Sequence, residues 1–190
     1  MSSTKTILVI NGHPDQNSLN QGLVNAYVDA AKQQGHKVQL LNLRSLDFNP
    51  IGHHYAINTP LEPDLESAQR LIKQAQHLAV FYPIWWGGMP ALLKGFFDRA
   101  LTPGFAFRYS EKGIPQKLLV GRTVEIFNTT DTPGWLHWLL LKGDKLQAKR
   151  NIFEFCGIKV KRHVRFGSVF QSDDALRDKW LKRVMRLAQS

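Results

Sequence analysis

Short aliphatic runs alternate with helical patterns along nearly the whole of this 190-residue sequence. Thr6 is followed by four aliphatic residues, and the segment 6–10 predicts a strand that is buried on both faces. Residues 19–34 then repeat apolar side chains at helical spacing, and Gly35 can end that helix. A strand, a helix and a second strand in succession form a parallel βαβ unit. The alternation therefore predicts an α/β fold.

The same reasoning gives five strands and five helices. Further strands are predicted at 38–43, 78–82, 123–127 and 159–169. Further helices are predicted at 64–75, 90–101, 144–155 and after Ser172, which can cap the last one. The Gly- and Pro-containing stretch 102–121 is predicted to be irregular. These elements make a doubly wound, three-layer sandwich, a five-stranded parallel sheet with helices on both faces, in a single domain over 1–190.

Composition narrows the class of protein. The formal net charge of +10 favours contact with anions such as nucleic acid, membrane headgroups or a phosphorylated cofactor. No nucleic-acid-binding motif accompanies the charge, so a solvated basic face is the simpler interpretation and no nucleic-acid partner is predicted. Cys156 is the only cysteine, which suits a reducing compartment and a core position. Without a signal peptide or an apolar run near ~20 residues, we expect a soluble, cytoplasmic protein.

Three loops of unusual composition follow predicted strands, at the edge of the sheet where ligands bind in such folds. The first, 11–20, leads into a helix whose free N–H groups can hold a phosphate. Ser18 and Asn20 can add donors, and His13 can add a donor or a charge. The loop is neither a G-x-G-x-x-G nor a P-loop motif. Alternatively, Ser18 only caps the helix and His13 only closes a turn.

The second loop, 83–90, places Trp85 and Trp86 directly after a central strand, between two prolines. This composition suits a flat aromatic ligand, which an indole can stack on while backbone groups bond its edge. A packing or interface patch is the alternative. The third loop, 128–135, contains three threonines and an asparagine, and by itself indicates only a polar turn.

Together these loops resemble the flavodoxin-like NAD(P)H:quinone oxidoreductase family, which includes DT-diaphorase-type enzymes, modulators of drug activity and potassium-efflux ancillary proteins. The most specific match is the segment Phe81–Arg99, continued by Pro103–Phe107. The arrangement His13…Ser18-Leu19-Asn20 is similar to the family's phosphate loop. Phe155-Cys156-Gly157 before a strand also matches, so the resemblance covers most of the chain.

The resemblance implies a bound flavin, FAD or FMN, with NADPH or NADH as co-substrate and a quinone or other small planar molecule as electron acceptor. It also implies a homodimer with the active site at the subunit interface. The phosphate region of the flavin would lie at His13, Ser18, Leu19 and Asn20. The isoalloxazine would be lined by Pro83, Ile84, Trp85, Trp86 and Gly87. The pyrimidine edge and polar tail would contact Thr129, Thr130, Asp131 and Thr132.

The chain departs from better-known members after the third loop, where those members have a Tyr and a His that assist proton relay. His137 is nearby in sequence and is the only candidate for such a role, so no catalytic side chain is assigned. The alternative function is a flavin-binding regulatory subunit of a potassium-efflux transporter, a possible peripheral partner, or a flavodoxin-like electron carrier. A Ser18–His13–Asp15 hydrolase lacks triad spacing. No metal site is expected, because His53-His54 and the other histidines lack ligand spacing.

Overall fold

The computed structural model describes residues 4–52 and 60–189, and five of its strands form one parallel sheet in the order β2-β1-β3-β6-β7. The strands are β1 (Thr6–Asn11), β2 (Lys37–Asn42), β3 (His77–Pro83), β6 (Thr123–Thr129) and β7 (Lys159–Phe166), with a separate antiparallel pair β4 (Phe107–Tyr109) and β5 (Pro115–Lys117). The helices are α1 (Leu19–Gln33), α2 (Pro63–Gln74), α3 (Ala91–Ala100), α4 (His137–Leu140), α5 (Lys142–Leu146) and α6 (Asp174–Ala188), with a π-helix at Gln147–Glu154.

The strand order confirms the predicted flavodoxin-like sheet. After β1 the chain places β2 on one side, and it then crosses to put β3 on the other side of β1. The direction of winding therefore reverses between β1 and β3. In open α/β sheets a crevice for ligands opens beyond the carboxyl ends of the strands at such a reversal.

Two apolar cores lie on opposite faces of the sheet. On one face α1 and α6 cover the sheet, and Tyr27, Phe81 and Phe127 form its aromatic centre. On the other face α2, α3 and the π-helix pack against the sheet around residues such as Phe96 and Phe153. Each fully buried side chain of this size contributes about 1.5–3 kcal/mol relative to exposure. These two cores hold the strand ends that position the loops.

Three local predictions need correction. The region 102–121 contains the β4–β5 hairpin and is not wholly irregular. Leu43 lies in a short 3-10 helix, Leu43–Ser45, rather than in β2. The last helix is capped by Asp173, whose carboxylate accepts from Leu176 N at 2.7 Å, and not by Ser172. A carboxylate bonds helical N–H groups more strongly than a hydroxyl, and the Ser172 hydroxyl instead donates to the Val169 carbonyl.

Cys156 is buried, as predicted. Burial raises the pKa of its thiol to about 12, so the sulfur stays protonated and unreactive at neutral pH. The residue therefore belongs to the core.

Candidate functional site

The three loops meet at the carboxyl edge of the sheet. Gly12 N donates to the Phe81 carbonyl at 2.8 Å, which joins the first loop to β3. Ile84 N donates to the Thr129 carbonyl at 2.8 Å, which joins the second loop to the third. A Cβ on Gly12 would lie 2.9 Å from Leu93 Cδ2, so a larger residue would require the Leu93 side chain on α3 to shift. The predicted loops thus line one crevice at the winding reversal.

Asn11 organises the first loop from a fully buried position. Its Oδ1 accepts from His13 N at 3.1 Å and from Asn20 Nδ2 at 3.2 Å. Its Nδ2 donates to Gln21 Oε1 at 2.8 Å and to Asn42 Oδ1 at 3.2 Å. One amide therefore fixes the loop, the start of α1 and the end of β2. This role of Asn11 was not predicted, although an asparagine that ends an apolar strand was a visible signal.

His13 is neutral and has a defined tautomer. Its Nδ1 accepts from Asp15 N at 2.9 Å, which leaves the proton on Nε2. Burial lowers the pKa of His13 despite the nearby Asp15 carboxylate. The ring also meets Trp85 edge-on, with the ring centroids 5.8 Å apart. His13 thus links the first and second loops and presents a single N–H donor.

The amino end of α1 offers unused donors. The Ser18 side chain accepts from Gln21 N at 3.3 Å, so the predicted cap is present. In the described part of the chain, the N–H groups of Leu19 and Asn20 have no acceptor. Asn20 is also buried, and its Oδ1 has no hydrogen-bond partner among the described residues. Buried polar atoms of this kind call for a partner from outside the protein chain, such as water or a ligand.

The second loop is a tight turn that pushes one indole into solvent. Trp85 and Gly88 exchange both backbone hydrogen bonds, at 2.9 and 3.0 Å. The two residues between them have positive φ, 52° for Trp86 and 76° for Gly87, which is the pattern of a type I′ turn. Trp86 is fully exposed. A non-glycine residue in this conformation carries strain of about 1–2 kcal/mol, so the backbone is strained where the indole is presented.

The third loop is held by contacts with the end of β7 and with the segment that follows it. Thr129 and Thr130 are buried, and Thr130 N donates to the Phe166 carbonyl at 2.9 Å. Asp131 Oδ1 accepts from Phe170 N at 2.7 Å, so this carboxylate braces the following loop. A Cβ on Gly167 would lie 2.7 Å from the Thr132 carbonyl oxygen. Glycine is therefore required where β7 leaves the sheet.

His137 is bound to the same loop. Its Nε2 lies 2.9 Å from the Thr132 carbonyl oxygen, which can only accept, so Nε2 carries the proton. This contact fixes the start of α4 against the third loop. Its suggested part in proton relay stays a prediction.

Sequence reasoning missed a buried polar cluster directly beneath the loops, which we call the Asp144 cluster. Asp144, on α5, is almost fully buried. It accepts from Tyr82 Oη at 2.9 Å and from Arg165 Nη2 at 3.1 Å. The His163 Nε2 lies 3.4 Å from it and also contacts Asn128 Oδ1. Polar residues inside otherwise apolar strands were the available signal.

Two further findings concern the described residues only. Across 4–52 and 60–189, no group of three or more His, Cys, Asp or Glu side chains could hold a metal ion, and His53-His54 lie outside these ranges. No helix within the same ranges is long and apolar enough to cross a membrane.

The crevice combines two kinds of surface. At the α1 end it offers backbone N–H groups and a neutral imidazole, which suit a phosphate, while the Ser18 hydroxyl already donates to the Asp15 carbonyl at 2.9 Å. At the second loop it offers indoles and a strained turn, which suit a flat ring. It therefore fits an elongated ligand with an anionic end and an aromatic end.

A family model described as flavodoxin-like fold matches residues 5–187. An uncharacterized NAD(P)H oxidoreductase of Haemophilus influenzae is 26% identical, with 96% of this chain and 94% of that protein covered. The human ribosyldihydronicotinamide dehydrogenase [quinone] is 27% identical, with 82% and 78% covered. Among solved structures, Smu.1420 of Streptococcus mutans is 28% identical with a TM-score of 0.81, and 97% and 98% of the two chains are covered. The NAD(P)H:quinone oxidoreductase of Methanothermobacter marburgensis has a TM-score of 0.84 at 21% identity, with 99% of each chain covered, which is a likeness of fold.

Proposed function

The chain belongs to the flavodoxin-like fold family, and on that premise we propose that it is a flavin-dependent NAD(P)H oxidoreductase that transfers two electrons to quinones or similar planar acceptors. The observation that carries the proposal is the crevice itself, where a helix terminus with two free N–H groups and an outward-facing tryptophan turn share one sheet edge. The relatives named as NAD(P)H oxidoreductase and quinone dehydrogenase support the same chemistry.

The residues present fit a flavin. The buried, unpartnered Asn20 Oδ1 and the free N–H groups at the start of α1 are polar atoms that a ribityl or phosphate group would satisfy. We assign the phosphate end to His13, Ser18, Leu19 and Asn20. The ring would be lined by Pro83, Ile84, Trp85, Trp86 and Gly87, and its polar edge by Thr129, Thr130, Asp131 and Thr132. FAD and FMN share these features, and both stay candidates.

The chemistry that a bound flavin supplies is two-electron transfer between a nicotinamide and a planar acceptor. The protein side chains bind and orient. His13, neutral and protonated on Nε2, donates a hydrogen bond without adding a charge. The Thr129 carbonyl holds Ile84 and so fixes the entry into the tryptophan turn. No described side chain of the crevice is assigned a proton-transfer role.

We further propose a homodimer located in the cytoplasm. Full exposure of Trp86 in the single chain supports the dimer, because a second subunit would cover this apolar surface. The single, buried Cys156 suits a reducing compartment. Sedimentation equilibrium of the flavin-loaded protein tests the dimer, and a monomer at every concentration would contradict it.

The experiment for the function is an anaerobic titration of flavin-loaded protein with NADPH, followed by absorbance of the flavin. Stoichiometric bleaching that a quinone reverses is the expected result. Flavin that binds but stays oxidised would contradict the enzyme and favour a carrier or a transporter-regulating subunit. Failure to bind either FMN or FAD would contradict the flavin site as a whole.

A pair of variants locates the site. We expect Trp86→Ala to weaken flavin binding about tenfold, because stacking on an indole contributes on the order of 1 kcal/mol or more. Trp138→Ala removes another exposed tryptophan, on α4 and outside the three loops, and serves as the matched control. Equal flavin affinity for the two variants would contradict the assignment of Trp86.

A further inference from the structure

Residues 135–146, which continue from the end of the third loop, expose a concentration of apolar side chains. Trp135, Trp138, Leu139, Leu140 and Leu146 have between 48% and 73% of their surface exposed. Exposed apolar groups scattered singly are ordinary, but a contiguous patch of this kind marks an interaction surface. We call these five side chains the apolar strip.

The strip cannot turn inward, because the opposite side of the same segment is anchored to the protein. Leu141, Asp144 and Ala148 are buried and recur at helical spacing. Asp144 is bound to Tyr82 and Arg165, while the Leu141 carbonyl accepts from Arg165 at 3.1 Å. The helical turns therefore bury a polar anchor and direct tryptophan and leucine toward solvent. This is the reverse of the arrangement in a helix that belongs only to the core.

Basic side chains border the strip. Lys142, Lys145, Lys149 and Arg150 follow it along α5 and the π-helix. The Lys142 ammonium lies 5.0 Å from the centre of the Trp138 ring. Within the described residues, only Lys149 of these four has a carboxylate partner, Glu154 at 3.8 Å. The surface is thus both apolar and positively charged.

We propose that this surface docks on a membrane that contains anionic phospholipids. Tryptophans and leucines enter the boundary between headgroups and acyl chains, and lysine side chains extend from the same helix face to the phosphates. A second copy of the chain fits less well, because a symmetric contact would bring the basic borders of two copies together. The net charge of +10 adds long-range attraction to the same surface.

The apolar strip lies next to the crevice, so membrane docking would affect which molecules reach the crevice. Gly134–Leu136 begins two residues after Thr132, and His137 ties this segment to the third loop of the crevice. If the proposed function holds, docking would bring the crevice close to quinones dissolved in the bilayer. The docking itself does not depend on bound flavin or on turnover.

The test is co-sedimentation of the full chain with phosphatidylglycerol-containing vesicles and with pure phosphatidylcholine vesicles. We expect binding to the anionic vesicles, weakened by salt. In the triple variant Lys142→Gln, Lys145→Gln, Arg150→Gln, each change should lower partitioning about fivefold, since a lysine or arginine near such a surface contributes about 1 kcal/mol. The charge-matched control is Lys32→Gln, Lys112→Gln, Lys179→Gln, which should bind as the unchanged protein does.

The apolar part is tested separately. Trp138→Ser with Leu139→Ser should lower vesicle binding at least tenfold, and Ile114→Ser with Met185→Ser is the control at other exposed apolar sites. No binding to anionic vesicles, or equal loss in strip and control variants, would overturn the proposal. Conversion of a dimer to a monomer by the strip variant would also overturn it, because the strip would then be a protein interface. None of these readouts uses NADPH or flavin, so they fail or succeed independently of the proposed enzyme activity.

Discussion

Two buried carboxylates, one near each end of the sheet, have the same set of partners. Each is accompanied by one arginine from β7, one histidine and one tyrosine. Near the amino ends of the strands, Glu125 is approached by Tyr27, His77 and Arg162, which we call the Glu125 cluster. Near the carboxyl ends lies the Asp144 cluster, with Tyr82, His163 and Arg165. The two carboxylates have partners of the same residue types, but the two clusters differ in how many of their buried polar atoms have a hydrogen-bond partner.

In the described part of the chain, no buried side-chain atom of the Glu125 cluster lacks a hydrogen-bond partner. At the Asp144 cluster, His163 Nδ1 and Arg165 Nε have no hydrogen-bond partner among the described residues. The arginines differ as well, because the Arg162 side chain is 39% exposed and that of Arg165 only 13%. The carboxyl end also holds the strained turn at Trp86. Unpartnered buried polar atoms and a strained backbone turn are thus both found at the carboxyl end of the sheet, where the crevice lies. This is expected of a ligand site.

The largest expected effect is that of Asp144→Asn. Removing this charge leaves Arg165 buried without a compensating carboxylate, and breaking a buried ion pair in this way costs about 3–5 kcal/mol. We expect a loss of that size in the free energy of unfolding, measured by urea denaturation. The double variant Asp144→Asn, Arg165→Met removes both charges and should recover part of the loss. A double variant no more stable than the single one would contradict the ion-pair explanation.

Glu125→Gln should cost less, about 1.5–3 kcal/mol, although Glu125 is equally buried. Burial alone would raise the pKa of Glu125, but hydrogen bonds and charges from His77 and Arg162 lower it overall. Once the carboxylate is removed, the half-exposed Arg162 can be solvated by water, which Arg165 cannot. Urea denaturation measures both losses in the free energy of unfolding. A larger loss for Glu125→Gln than for Asp144→Asn would contradict the expected difference between the two clusters.

The fold was predictable because its signals are local. Apolar runs of strand length and helical stripes between them gave the five-stranded sheet and its class, confirmed by the strand order. Strand and helix ends were less accurate, since caps such as Asp173 are chosen by hydrogen bonds that spacing does not show. The β4–β5 hairpin was missed because its strands have three residues each and are mostly exposed.

The site was only partly predictable. Loop composition correctly indicated a shared edge and an outward indole, because both follow from chain connectivity and local turn residues. The Asp144 cluster depends on contacts between residues up to 62 positions apart, so polar residues within the strands could indicate buried polar contacts but not which residues meet. Likewise, only the fold shows that Asp131 also accepts a hydrogen bond from Phe170 N, while its predicted ligand contact stays a prediction.

A smaller effect concerns pH. Burial lowers the pKa of His163 below its ordinary value of 6.5, so the folded protein resists a proton that the unfolded chain accepts. The unfolded state therefore binds more protons below about pH 6.5, and the free energy of unfolding falls as the pH decreases. We expect His163→Gln to lose less stability than the unchanged protein between about pH 7.5 and about pH 5.5. If the urea midpoints of the two proteins fall by the same amount as the pH decreases, His163 is not the source of the pH dependence.

The smallest expected effect tests whether strain at the carboxyl end is retained for the site. Trp86→Asn places asparagine before Gly87, the pair that a type I′ turn favours, and should raise the free energy of unfolding by about 0.5–1 kcal/mol. Trp135→Asn is the control, since Trp135 is also exposed but is not among the residues with positive φ. A gain confined to Trp86→Asn, together with weaker flavin binding, would mean that tryptophan is kept there for the ligand against the preference of the backbone. Equal changes in both variants would trace the effect to the loss of an exposed indole, and the carboxyl end would then differ from the amino end only in its unsatisfied polar atoms.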